Sequence, residues 1–219
     1  VRLSISETPE FEANKKKNKT LAIPFMTVFK EHGKPLFLGT FIALATFVLF
    51  YLMTVFIASW AITDLHMTRE KFLENQISSV AFFALLIPIS AVLADRYGRK
   101  RILMTASILI IIFGILLGYL LGSSDSINIL ITLSIGMALM GFTYGPLGTI
   151  LSELYPTNVR YTGSSLSFNL AGIVGASFAP FIALWLSSTY GIAYVGYYLA
   201  LAAMISLISI KLSSKAKAG

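Results

Sequence analysis

The sequence predicts an all-α membrane protein of six transmembrane helices, on three observations. A mean hydropathy of +0.79 with only 12% charged residues leaves no room for an ordinary soluble domain. Six apolar stretches recur along the chain, each about 18 to 26 residues long and so able to cross a hydrocarbon core at 1.5 Å per residue. Backbone in lipid must be helix or closed barrel, and stretches this long without period-2 alternation are helices. The basic residues are also one-sided. Of the 17 lysines and arginines, all but Arg69 and Lys71 fall on one side when both termini are placed together. An even helix count requires that placement, and the bias puts both ends in the cytoplasm of a multi-pass plasma-membrane protein.

Residues 1–35 read as a cytoplasmic linker with an interfacial piece. The first 20 are polar, with a Lys15-Lys16-Lys17 run, and Leu21 to Phe29 is a short apolar segment suited to lying along the membrane surface. Nothing before the first apolar stretch has a secretory pattern, and Val1-Arg2-Leu3 looks like the middle of a longer protein. The transmembrane domain covers residues 36–212. Its stretches are Leu36–Ala61, Ile77–Ala94, Ile102–Leu121, Ile127–Thr149, Ser165–Ser187 and Ile192–Leu212, and a cytoplasmic tail of 213–219 follows. Pro88, Pro146 and Pro180 each remove a backbone hydrogen bond inside a stretch and should bend it. Gly114, Gly118 and Gly122 form a small-residue stripe on the third stretch, and Gly141 and Gly145 repeat its spacing on the fourth. Such stripes let backbones approach closely, inside one bundle or between two copies.

The net charge of +7 is explained by topogenic residues facing anionic lipid, so no nucleic-acid partner is expected. With no cysteine, disulfides, thiolate metal sites and cysteine nucleophiles are excluded. His32 and His66 fall on opposite sides of the membrane and cannot share a metal. No metal site, no cofactor and no catalytic residue is expected; paired carboxylates, HExxH and a Ser/His/Asp set at one depth are all missing, which argues against an enzyme.

The loop Asp95-Arg96-Tyr97-Gly98-Arg99-Lys100-Arg101 joins the second and third stretches without an apolar spacer. An acid at the C-terminal end of its own helix sits beside partial negative charge, at a cost of a few tenths to about 1 kcal/mol. Asp95 makes better sense serving the N-terminus of another helix, and the fifth, with Thr162, Gly163 and Ser164 at its start, lies at the same face. Glu153 and Arg160 bracket a tight turn at Pro156, within reach of Arg96 or Arg99. These charges form a latch between moving parts, or else serve only topology and lipid binding.

That loop resembles the signature loop of the major facilitator superfamily, with Ala91 where the pattern begins with Gly. Gly145-Pro146 followed by Glu153-Leu154-Tyr155-Pro156-Thr157-Asn158-Val159-Arg160-Tyr161-Thr162-Gly163 is similar to a second loop of sugar-porter-like and metabolite:proton symporter members. Glu7-Thr8-Pro9-Glu10-Phe11 and Phe50-Tyr51-Leu52-Met53-Thr54-Val55-Phe56 narrow the resemblance to the metabolite:proton branch. The resemblance covers nearly all 219 residues but only the C-terminal half of a member. It implies one half of a twelve-helix fold, built as a 3+3 inverted repeat, whose partner is a missing N-terminal six-helix domain. It also implies a gating charge network at Asp95, Arg96, Gly98, Arg99, Glu153 and Arg160.

The function it implies is alternating-access symport of a small metabolite, an organic acid or osmolyte, with H+. A sugar porter and a non-transporting membrane subunit are the alternatives. No ionisable residue lies deep in these helices, so the proton carrier is expected in the other half. Tyr51, Thr54, Tyr144, Ser167 and Asn169 are the mid-depth candidates for substrate contact, and interhelical hydrogen bonding is the other role open to each. The third and sixth stretches, poor in such groups, read as outer scaffold.

Overall fold

The computed structural model describes residues 24–122 and 125–215. The linker motif Glu7 to Phe11, the Lys15 to Lys17 run and the end of the tail lie outside the described residues. The elements are a short α1 (Pro24–Glu31) and six long helices: α2 (Gly33–Thr63), α3 (Arg69–Tyr97), α4 (Arg99–Leu120), α5 (Ser126–Glu153), α6 (Arg160–Tyr190) and α7 (Ile192–Lys215). All six long helices are apolar and long enough to cross a membrane, and there is no strand among the described residues. Most are longer than the apolar stretches that announce them. Helix α3, for example, starts at Arg69 with Thr68 as its cap, the Thr68 hydroxyl accepting from the Lys71 N–H at 3.3 Å. Hydropathy marks the hydrocarbon core, whereas the hydrogen-bonded helix runs on into the interface.

Helix α2 is the hub. In its apolar window 61% of residues are buried, against 17% for α3 and 28% for α6, so those two helices keep broad open faces. Leu49, Leu52, Met53, Phe56 and Ile57 of α2 are fully buried and pack with Leu133 and Met137 of α5. Helix α3 lies along α5, and α4 along α7. The glycine stripes serve these pairs inside the bundle. A Cβ on Gly196 would fall on the carbonyl oxygen of Gly114, one on Gly118 would overlap Ala193, and one on Gly145 would meet the Ser90 hydroxyl and the Ile87 carbonyl. Tight approach of this kind replaces the hydrophobic drive that lipid cannot supply between helices.

Buried hydroxyls pin the rest. Ser206 of α7 donates to the Phe41 carbonyl at 2.7 Å and accepts from the Ala45 N–H at 3.0 Å, fixing α7 on the hub. Ser90 of α3, fully buried, donates to the Gly141 carbonyl of α5 at 3.2 Å.

Pro88 and Pro146 lie within continuous helices, while Pro180 follows a π-helical turn, Ile173–Ser177, that breaks α6. Helix α2 has a π-helical turn too, Leu52–Phe56, with no proline behind it. Such turns widen the helix and leave local backbone bonds poorly matched, a common feature near working parts of proteins.

Candidate functional site

Two places gather the predicted residues, one at the basic end of the bundle and one at mid-depth.

At the basic end, Gly98 separates α3 from α4 with φ +95°, a conformation that side-chain-bearing residues rarely adopt. The sharp corner points Arg99 back over the end of α3. Its guanidinium pairs with Glu153 at the end of α5 and with Asp95 at 3.3 Å. One arginine thus ties the α3–α4 loop to α5. Together these residues line an open cavity of about 560 Å³ with Tyr97, Lys100 and Arg101.

One expectation changes here, and one open choice is decided. The partner of Asp95 is Arg99, not the start of α6; the Gly163 N–H there is taken by the Val159 carbonyl at 2.8 Å. Asp95 lies in the last turn of α3, which ends in a bond from the Gly98 N–H to the Ala94 carbonyl, and a nearby guanidinium offsets the unfavourable dipole more directly than a distant helix could. Arg96 sits 5.3 Å from the centre of the Tyr97 ring, so Arg99 is the residue that meets Glu153.

The turn between α5 and α6 is built around Tyr155. Its ring is buried among Val28, Leu36 and Val159, and His32 stands edge-on to it at 6.4 Å. A Cβ on Gly163 would strike the Tyr155 ring, so a glycine is required there for close approach. Burial pushes the Tyr155 hydroxyl's pKa up, and its hydrogen bond with Ser167 at 2.7 Å partly offsets this. Arg160 donates to the Tyr155 carbonyl and to the Thr157 hydroxyl, both at 3.4 Å, and so holds the turn. This seats α1, expected as an interfacial segment, against the bundle through Val28, while Phe25, Met26 and Phe29 stay exposed.

Mid-depth candidates divide. Ser167 is fully buried against Tyr155 and has no open face for a ligand, so of the two roles open to it the structure favours hydrogen bonding over substrate contact. Its position follows from Gly39, whose missing Cβ leaves the space that the Ser167 side chain occupies. The Thr54 hydroxyl donates to the Phe50 carbonyl of its own helix at 2.7 Å. Tyr51 and Asn169 share a recess of about 300 Å³ with Phe47, Phe168, Gly172 and Ser177, beside the π-helical turn of α6. Tyr144 faces a second cavity of about 370 Å³. Helix α2 gives it Thr46, Phe47 and Phe50, α3 gives Phe83 and Ile87, α5 gives Met140, and α6 gives Phe168. Its rings meet edge to face: Phe47 and Phe168 at 4.8 Å, Phe83 and Tyr144 at 5.7 Å, Tyr144 and Phe168 at 6.4 Å.

Of these aromatic residues, Tyr144 was singled out in the sequence, whereas Phe47, Phe83 and Phe168 were not. The only local sign is the Phe47, Phe50, Tyr51 spacing, which places three rings along one side of α2. Within the described residues no group of His, Cys, Asp and Glu could hold a metal.

Comparison with known proteins decides the family. The model of the sugar (and other) transporter family matches residues 4–214. The chain belongs to the sugar (and other) transporter family. It is 41% identical over 222 residues to the inner membrane metabolite transport protein YhjE of Escherichia coli, covering 99% of this chain and 50% of that protein. A putative metabolite transport protein of Haemophilus influenzae is 36% identical over 99% of the chain and 52% of its own length. The citrate-proton symporter of Salmonella typhi is 28% identical over 83% of the chain and 42% of its length.

No solved structure matches significantly. As a member of a transporter family, the chain spans about half the length of the curated relatives it matches. Its six apolar helices form one half of the major facilitator fold and make it a multi-pass membrane protein.

Proposed function

We propose that this chain is the C-terminal half of a secondary active transporter that carries a small polar metabolite, an organic acid or an osmolyte, together with H+ by alternating access. The observation that carries this reading is the cavity to which α2, α3, α5 and α6 all contribute at mid-depth, between the hub helix α2 and the two helices with the widest open faces, α3 and α6. A binding site shared with a second six-helix domain belongs there.

The Arg99 pair with Glu153 supports the gating part of the reading, because it ties the α3–α4 corner to the end of α5 at the basic end of the bundle, where the expected charge network lies. The citrate-proton symporter relative supports proton coupling. The proton carrier is assigned to the N-terminal half, since the carboxylates described here lie near helix ends: Asp64, Glu70, Glu74 and Asp125 at one rim, Glu31, Asp95 and Glu153 at the other. Both ends of the chain are cytoplasmic in the cell membrane, in keeping with the basic bias. A sugar is less favoured, because the larger mid-depth cavity offers almost no hydrogen-bonding groups.

Reconstituted proteoliposomes provide the test. Full-length protein should accumulate a metabolite under an imposed pH gradient and lose it with a protonophore, while the 219-residue chain alone should insert yet accumulate nothing. Protonophore-sensitive accumulation by the chain alone would overturn the proposal.

A further inference from the structure

The edge-to-face pair of Phe47 and Phe168 lines both mid-depth recesses. Their characters are opposite. The 370 Å³ cavity is ring and aliphatic surface, and of its two hydroxyls Thr46 is already committed to Thr143 at 3.0 Å. The 300 Å³ recess presents Tyr51, Asn169 and Ser177. The Asn169 amide N–H₂ donates to the Ser165 carbonyl at 2.8 Å, so its carbonyl oxygen is the atom left to accept from a ligand. Neither recess is lined by Asp, Glu, Lys, Arg or His.

We infer that this half selects a two-part substrate: a compact hydrocarbon body seated among Phe50, Phe83 and Tyr144, and an adjoining hydroxyl that donates to Asn169 beside the Phe47 and Phe168 pair. This rests on the transport reading of the same site and narrows it. Each hydroxyl of a polyol placed in the ring-lined cavity would lose water without gaining a partner, which penalises sugars and small hydrophilic solutes. A hydrocarbon body gains there, and a volume of this order suits one ring. Any carboxylate on the substrate is left for the other half to meet, since this half lines the site with no cation.

Isothermal titration of the full-length transporter with four probes tests this. Mandelate carries a ring, a hydroxyl and a carboxylate; phenylacetate lacks the hydroxyl, lactate replaces the ring with a methyl, and D-glucose is the polyol. Mandelate should bind about tenfold or more tighter than lactate, from the apolar area its ring buries. It should bind about three- to tenfold tighter than phenylacetate, from the one hydrogen bond. Asn169→Ala should erase the second preference and keep the first. Phe83→Ala, or Phe50→Ala should that variant fail to fold, should do the reverse.

Lactate or glucose binding as tightly as mandelate, no binding of mandelate, or equal loss of both preferences in every variant would overturn the inference. Proton-driven uptake in proteoliposomes, measured in parallel, keeps the two readings apart. Accumulation of a solute while mandelate is ignored sinks the two-part substrate alone. Ordered binding of the probes without any gradient-driven uptake sinks the transport reading alone.

Discussion

Glu153→Gln should weaken the closed basic end more than Asp95→Asn does, although the two acids share Arg99. The Arg99 pair with Glu153 crosses from one helix to another, and each side chain is more than a third exposed, 38% and 36%. Water and salt therefore screen it, and about 1 kcal/mol is the reasonable coupling, a factor of about five in any equilibrium it biases. The Asp95 pair is an i,i+4 contact at 3.3 Å with the acid 72% exposed. It is worth about 0.3 kcal/mol, less than a twofold effect, and it stays within the α3–α4 corner.

Double-mutant cycles with Arg99→Gln, read by thermal unfolding of the full-length transporter and by transport rate at equal surface level, measure both couplings. The Glu153 coupling should also shrink as salt rises. If Asp95 couples to Arg99 as strongly as Glu153 does, or if Asp95→Asn alone abolishes transport, the reasoning fails. Asp95 would then have a stronger partner in another state, such as the start of α6.

Further outcomes follow from the same structure. Gly196→Ala should lower stability by about 1–3 kcal/mol, because the new methyl meets the Gly114 carbonyl in a tightly packed pair; thermal unfolding in detergent reads it. Gly98→Ala has open space for its methyl, so any loss, about 1–3 kcal/mol, comes from the backbone conformation alone. With the Tyr155 pKa raised by burial, the folded state keeps its proton where the unfolded chain loses it, so stability should be flat below the ordinary value of 10.0 and fall above it. Tyr155→Phe should remove that alkaline slope and cost about 1 kcal/mol at neutral pH through the lost bond to Ser167. Ser188→Cys, at an exposed site near the end of α6, should react with a membrane-impermeant thiol reagent from outside only; labelling from the cytoplasmic face alone would invert the proposed orientation.

What the sequence determined by itself rests on local quantities. Hydropathy summed over a window is a transfer free energy, so six apolar stretches amount to six membrane-crossing helices wherever they pack. The loop from Asp95 to Arg101 was legible for the same reason, since charge adjacent to apolar runs is a one-dimensional fact, and its resemblance led to the right family. The Gly114 and Gly118 stripe announced a close approach, though not its partner.

Tertiary structure decided which faces meet. In these helices almost every position is apolar, so the 3.6-residue pattern that marks an inner face in a soluble helix is nearly absent, and rotation about each axis cannot be read from the sequence. That rotation buries Ser167 under Tyr155 and leaves Asn169 open, two residues further on. It gives Arg99 rather than Arg96 to Glu153. It sets Ser206 of a helix that reads as mere scaffold onto the backbone of the hub. The ring-lined cavity is the clearest case. Its residues span Thr46 to Phe168 on four helices, and side chains so far apart in sequence become neighbours only when four separate rotations are fixed together by packing.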